Sequence, residues 1–595
     1  MPRTTTFTVG MSRPGTHLYE ITMQVAPFAS PVAWFDLVLP VWTPGSYMVR
    51  EFSRNVRDLA ASGPSEEPLS AVKVEKNRWR VGLLDDPREG PFTIRYRVYA
   101  GELTVRTSHL DASHGFGNGA NLFFYVEGRK DEPQSLRFDL PPGWRVSIAL
   151  PRSGGAFRAS DYDELVDSPF ECGTHRVLPF RVHGVTHSVA IWGSGNEDPR
   201  RLVHDLGAVV REEARLFGGL PYDRYLFLIH LAANASGGLE HRASQSVGME
   251  PFSFRPESAY RENLGLFAHE LFHAWNVKRI RPAPLGPFDY TKEAYTRDLW
   301  AMEGITSYYE RLLLVRAGLI TPTHLFEEMG KRLRAHRETP GARVQSVEAA
   351  SFDAWIRHYR PDENSPNVAE SYYRRGSLVG WALDLTIRRA SGGRRSLDDV
   401  MRRLWRRWGS RGKRYPAGEI ERLASAAAGR SLVAFFDRFV RGVETPPFER
   451  ILPAFGLLLT EKPESEEGVT PRRPRVRADF GWKTKDENGR LAVAEVYAGR
   501  PAYEAGISAG DELVAFAGVK ADEDERKRIE RDARPGTRVD VALFRRKRLL
   551  TVPLVLGGRR AFAYEIVAEA SANTRARRLG RGWLGRPLPP GSVSA

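Results

Sequence analysis

Along the first 190 residues, short apolar runs are interrupted by Pro and Gly. "HLYEITMQVA", "AWFDLVLP", "FTIRYRVYAG", "NLFFYVEG" and "HSVAIWG" are rich in aromatic and β-branched residues. Such runs at short intervals predict an antiparallel β-sandwich over 1–190. From about 195 the spacing of apolar positions becomes helical. "PRRLVHDLGAVVREEARLFGG" predicts a helix closed by a Gly pair, and a strand, "RYLFLIHLAA", follows. "LFAHELFHAWNVKRIRP", "RDLWAMEGITSYYERLLLVRAG" and "SYYRRGSLVGWALDLTIRRAS" continue the helical reading, giving an α/β plus helical domain over 195–455. The polar, Pro-broken "EKPESEEGVTPRRPR" predicts a linker at 461–475, and short strands with one helical stretch fill 476–565. At 570–595, Arg575, Arg577, Arg578, Arg581 and Arg586 sit among Gly and Pro, which predicts a disordered basic tail. No internal repeat is seen, and the expected class is multidomain α+β.

Composition narrows this picture little. With 595 residues the chain exceeds one core, and 42% hydrophobic with 27% charged residues is ordinary for a globular protein. The longest apolar candidate, "ILPAFGLLLT", spans only about half the roughly 20 residues a membrane helix needs and reads as core. The N-terminus has no apolar signal core, so a cytoplasmic location is expected. The net charge of +15 is spread over the whole length without an aromatic-interleaved basic motif, which argues against nucleic-acid binding. One cysteine, Cys172, excludes an internal disulfide framework and any cysteine-based zinc cluster. A metal site must be built from His and carboxylates.

"HELFH" supplies one. His269 and His273 are four apart, on one helical face, where both imidazoles can reach one cation. Glu270 sits beside them as a proton acceptor that need not be a ligand. The alternative is a pair of ordinary helix histidines. Glu303, on a following helix, makes a third ligand and leaves a position for water, as catalytic zinc requires. Glu310 falls on nearly the same face two turns later and could orient a ligand imidazole; the alternative is a solvated helix acid. Arg311 and Arg316 are not at the spacing that would pair them with it. In "GGLEH", Gly237 and Gly238 permit close backbone approach to a substrate on a sheet edge, and Glu240 adds a carboxylate. Trp275 reads as core, and for Lys278 and Arg279 offsetting the helix dipole is role enough.

These stretches, with "LPVWTPGSYMVREFSRNV", "LWAMEGITSYYE" and "SYYRRGS", resemble the zinc-dependent glycyl aminopeptidases that carry a PDZ domain, in the thermolysin-like gluzincin group. The resemblance spans residues 39 to about 555. It implies a thermolysin-like catalytic domain and one zinc ion on His269, His273 and Glu303, with Glu270 as general base. It further implies that Glu240 pairs with the substrate's free α-amine and that a tyrosine, Tyr373 with Tyr372 as the alternative, stabilises the oxyanion. Small N-terminal residues, Gly and Ala, are the implied substrates. One position departs: the aspartate often found four residues after the ligand Glu is Ser307 here. "DFGW" looks like a PDZ carboxylate loop, with Phe480, Gly481 and Trp482 cradling a peptide C-terminus; the alternative is a module kept for packing. Two other readings stand beside the aminopeptidase: an endopeptidase on the same scaffold, and a catalytically silent PDZ peptide-binding protein.

Overall fold

A computed structural model of the protein describes residues 3–82, 90–465 and 471–589. The chain separates into two compact units. The first comprises residues 1–296, 309–319 and 398–420, and the second 297–308, 320–397 and 421–595.

The first unit opens with an 11-stranded sheet and a four-stranded sheet that enclose one apolar core, in which Phe7, Tyr19, Ile21, Leu37, Ile94, Leu122, Phe170 and Cys172 are buried. Alternation produces this: Leu18–Val25 and Phe92–Tyr99 present every second side chain to the core. The pairing is antiparallel except where Thr5–Gly10 lies parallel to Gln134–Asp139. "NLFFYVEG" is mostly not strand; it holds the end of a short helix, Gly119–Leu122, and a two-residue strand.

The boundary of this first layer falls at Gly173, short of the expected 190. Arg176–Val182 and Val185–Trp192 belong to a separate five-stranded sheet, completed by Arg224–Leu231, Ser244–Met249 and the short edge strand Gly238–Glu240. Its three central strands run parallel, their connections being the helix Pro199–Phe217 and the Gly-rich loop. That helix is capped by Asp198, whose carboxylate accepts from Arg200 and Arg201 N–H, and it ends at Gly218, φ 85°. The helix Glu257–Phe272 packs on the edge strand and its neighbour, which sets the site described below.

The second unit carries the helices Pro322–Glu338 and Arg374–Ser391 and a three-stranded sheet, Leu457–Pro463, Gly557–Ala568 and Arg475–Asp479. The expected linker therefore starts and ends in strands that both pair with Gly557–Ala568, while its residues 466–470 lie outside the described ones. A six-stranded sheet with two helices, Pro501–Glu504 and Glu523–Asp532, follows and has its own core of Phe480, Trp482, Val493, Phe516, Val541 and Leu554.

The basic tail is a correction. Thr574–Leu584 forms a helix with Leu579, Trp583 and Leu584 buried, and Trp583 Nε1 donates to Tyr308 Oη at 2.7 Å. Its arginines occupy the outer face of an amphipathic helix, so charge density did not mean disorder. No helix of the described residues is long and apolar enough to cross a membrane.

Candidate metal and peptide site

His269 lies in the last turn of Glu257–Phe272, and His273 is the residue that closes that helix. Their rings are 4.7 Å apart and nearly perpendicular, at 80°. Each imidazole is committed through Nδ1. His269 Nδ1 donates to Glu310 Oε2 at 2.7 Å, and His273 Nδ1 to the carbonyl of Asn276. Fixing Nδ1–H this way makes Nε2 the lone-pair nitrogen of both rings. Both histidines, Glu270 and Glu310 are buried.

Glu310 thus touches His269 directly and has a further partner that the spacing argument had excluded. Arg311 Nε lies 3.5 Å from Glu310 Oε1, the adjacent residue reaching back along the helix, while its guanidinium also pairs with Glu262. Arg316 goes elsewhere, to Asp398 at 3.0 Å.

The two glycines of "GGLEH" sit in different surroundings. A Cβ on Gly238 would sit 2.1 Å from Glu270 Oε1, so the missing side chain is the space the carboxylate occupies. Gly237 has φ 87°, a left-handed turn that suits glycine. Glu240, on the edge strand, is 3% exposed, and its Oε1 has no hydrogen-bond partner among the described residues. The whole carboxylate packs on Gly45, where a Cβ would lie 2.6 Å from Oε2 and 2.7 Å from Oε1. Ligand-type atoms of Glu240, Glu270 and His273 all lie within 4.8 Å of one another. Two buried carboxylates at this separation repel, and a bound cation relieves them.

Beneath this, a buried network holds the strand in place. Asp167 accepts from Lys278 Nζ at 2.8 Å, from His241 Nδ1 at 3.1 Å and from the Arg242 N–H at 2.9 Å. Burial alone would raise the Asp167 carboxyl, but Lys278 and His241 hold it well below the ordinary value. Lys278 is therefore a buried ion-pair partner, not a dipole cap, whereas Trp275 is core, stacked on Phe217 at 4.8 Å.

In the second unit, Glu303 is 2% exposed in a π-helical turn, Trp300–Gly304, that leads without a break into Ile305–Ala317. π turns frequently mark functional positions. Glu303 and Glu310 thus stand two turns apart on one helical run. Ser307 lies between them and offers no carboxylate; its carbonyl accepts from Arg332.

The tyrosine pair precedes the helix Arg374–Ser391. A Cβ on Gly304 would come within 2.4 Å of Gly376 Cα, so the two glycines let the turn bearing Glu303 seat against the "YYRRG" turn. Tyr373, Tyr372 and His358 form one ring cluster, with Tyr373 4.8 Å from Tyr372 and 5.4 Å from His358, and Tyr372 4.7 Å from His358. Burial first, and then the charge of Glu303, push the Tyr373 phenol far above its ordinary value. Tyr372 is fully buried. His358 and Tyr359 were not anticipated. Burial keeps His358 below its ordinary value despite the opposing pull of Glu303, and Tyr359 hydrogen-bonds Tyr373. They sit in an irregular loop, where no periodicity points to them.

In the C-terminal sheet, Phe480 and Trp482 stack on each other at 4.8 Å and 4° inside the core. The Gly481 N–H, the expected peptide donor, is taken by Asp479 Oδ1 at 3.1 Å.

Comparison with known proteins follows this division. A model of the peptidase M61 N-terminal domain matches residues 6–174, ending where the sandwich ends, and one of M61 glycyl aminopeptidase matches 262–379, which includes every candidate residue from His269 to Tyr373. A solved aminopeptidase N family protein from Idiomarina loihiensis is 31% identical, with a TM-score of 0.89, covering 98% of this chain and 100% of that one. An M1 zinc metallopeptidase from Deinococcus radiodurans is 14% identical at a TM-score of 0.46, covering 75% of this chain and 95% of its own, a likeness too low to carry an inference. No curated protein matches. The whole-length identity places the chain in one family with that aminopeptidase N family protein, the two matched domains are those of M61 peptidases, and the chain is a metallopeptidase.

Proposed function

We propose that the protein is a zinc-dependent aminopeptidase that cleaves the first bond of peptides with small N-terminal residues, with His269, His273 and Glu303 as the ligand set. One observation carries the reading: both imidazoles of the helix are anchored through Nδ1, beside a general-base candidate whose space is reserved by Gly238. Two neutral imidazoles with one carboxylate suit zinc. An ion bound there supplies Lewis-acid chemistry, acidifying a water and polarising the scissile carbonyl.

The chain's own residues do the rest. Glu240 binds the substrate ammonium through its unpartnered oxygen, and the edge strand Gly238–Glu240 aligns the peptide backbone. Because Glu240 and Glu270 belong to one group of atoms within 4.8 Å, an amine held by the first puts the first peptide bond beside the second. Glu270 takes the proton of the attacking water and gives it to the departing amine. Tyr373, protonated at neutral pH, donates to the oxyanion. For the six-stranded module we propose a PDZ-like fold in which the edge strand Trp482–Glu487 accepts extended peptides, with Asp479 competing for the loop amide.

The test uses a Gly-Ala-Phe peptide with a free and with an acetylated amine. The expected result is cleavage of the free peptide alone, and loss of that cleavage in Glu240→Gln. Internal cuts in the acetylated peptide would establish the endopeptidase instead.

A further inference from the structure

A second group of metal-binding side chains lies elsewhere in the first unit. His109, Asp111 and His114 each offer a ligand atom, all within 4.8 Å of one another. They are brought together by a tight hairpin between the strands His109–Leu110 and His114–Gly117. Asp111 Oδ1 accepts three hydrogen bonds, from Ser113 N–H at 2.7 Å, Ser113 Oγ at 2.6 Å and His114 N–H at 3.0 Å. That locks the carboxylate and turns Oδ2 toward His109 Nε2, 3.2 Å away.

His114 is the informative residue. It is fully buried, and its ring stacks on Trp192 at 3.6 Å and 13°. Its Nδ1 donates to Glu171 Oε1 at 2.8 Å, while Glu171 Oε2 holds His230 Nε2 at 3.0 Å. Its Nε2 has no partner among the described residues. Leaving a buried imidazole nitrogen unsatisfied costs about 1–3 kcal/mol. A carboxylate on Nδ1 with an open Nε2 is how proteins hold an imidazole toward a metal. The His109–Asp111 separation agrees: two ligand atoms on a tetrahedral ion with bonds near 2.1 Å sit about 3.4 Å apart. A simple hydrogen-bonded His–Asp pair joins His109 Nε2 to Asp111 but leaves the buried His109 Nδ1 and His114 Nε2 without partners among the described residues.

We propose that His109, Asp111 and His114 form a second divalent-metal site, separate from the peptidase centre and suited to zinc or a similar borderline ion. Two imidazoles and one carboxylate leave a fourth position for water, and the partly exposed Asp111 gives the ion a way in. The ion pins the hairpin at the edge of the four-stranded sheet, a structural role, and Glu171 orients His114 for it.

The test is metal counting on the full-length protein, stripped with chelator, reloaded with zinc chloride and desalted. Wild type is expected to retain two zinc ions per chain, His114→Ala one, Glu303→Ala one, and the double variant none. Asp111→Asn, on a partly exposed loop that keeps its shape, is expected to bind this zinc at least 10-fold more weakly with an unchanged metal-free melting curve. Equal zinc in wild type and His114→Ala, or in Glu303→Ala and the double variant, overturns the site. If Glu303→Ala retains as much zinc as wild type while His114→Ala loses one ion, this site stands and the proposed peptidase ligand set falls.

Discussion

Replacing Glu310 tests whether the HExxH histidines are held for ligation. Its carboxylate receives the His269 Nδ1–H at 2.7 Å in a buried position, a charge-assisted bond that contributes about 1.5–3 kcal/mol. Removing such a partner typically weakens a metal site about 10–100-fold, which is about 1.4–2.7 kcal/mol and agrees with the bond's own magnitude. Glu310→Ala should therefore raise the zinc dissociation constant of the peptidase site by that factor. Glu310→Gln, which keeps an acceptor but not the charge, should do less. His273 is held by the Asn276 carbonyl and is untouched by the change, so some affinity survives. Arg311 keeps Glu262 and the Arg261 carbonyl, so the fold should persist. The assay is competition for zinc with a chromophoric chelator, with hydrolysis of a Gly-anilide followed as zinc is added back. The expected outcome is activity restored at higher zinc with little change in KM. An unchanged zinc affinity in a folded Glu310→Ala protein would refute the anchoring argument.

Three further outcomes are expected. Gly238→Ala places a methyl 2.1 Å from Glu270 Oε1, so turnover should fall at least 10-fold while zinc content, read by elemental analysis, stays the same. His187 is buried and neutral, its Nδ1–H on the Val185 carbonyl and its Nε2 facing Tyr222 Oη, and burial pushes its pKa down to about 4. Its stabilising contribution is present above the unfolded value near 6.5 and is lost as pH falls toward 4, about 2 kcal/mol between pH 7 and pH 5, so His187→Phe should show a smaller drop in thermal midpoint over that range. Trp583→Ala removes a buried indole among Phe326, Trp381, Phe455 and Tyr308 and should destabilise by about 3–5 kcal/mol, measured by denaturant unfolding; a change under 1 kcal/mol would restore the disordered-tail reading.

Local signals were legible in the chain. The four-residue histidine spacing, the two-turn offset from Glu303 to Glu310 and the Gly-Gly-Leu-Glu turn all survive as neighbours within an element or a tight turn. What needed the fold is non-local. Val185–Trp192 alternates like the strands before it, and only its parallel pairing with Arg224–Leu231 assigns it to the other sheet. Lys278 looked like a helix-end cation because its partner, Asp167, is remote in sequence. His358 and Tyr359 come from an aperiodic loop, and their placement beside Tyr373 depends on tertiary packing. In the tail, the arginines hid Leu579, Trp583 and Leu584, which share the buried face of the terminal helix.

The most direct measurement of the central claim is zinc content together with Gly-anilide turnover in wild type and Glu303→Ala. The expected result is one zinc ion fewer per chain in the variant and no measurable hydrolysis. Equal zinc and equal turnover in the two proteins would contradict the assignment of His269, His273 and Glu303 as the catalytic ligand set.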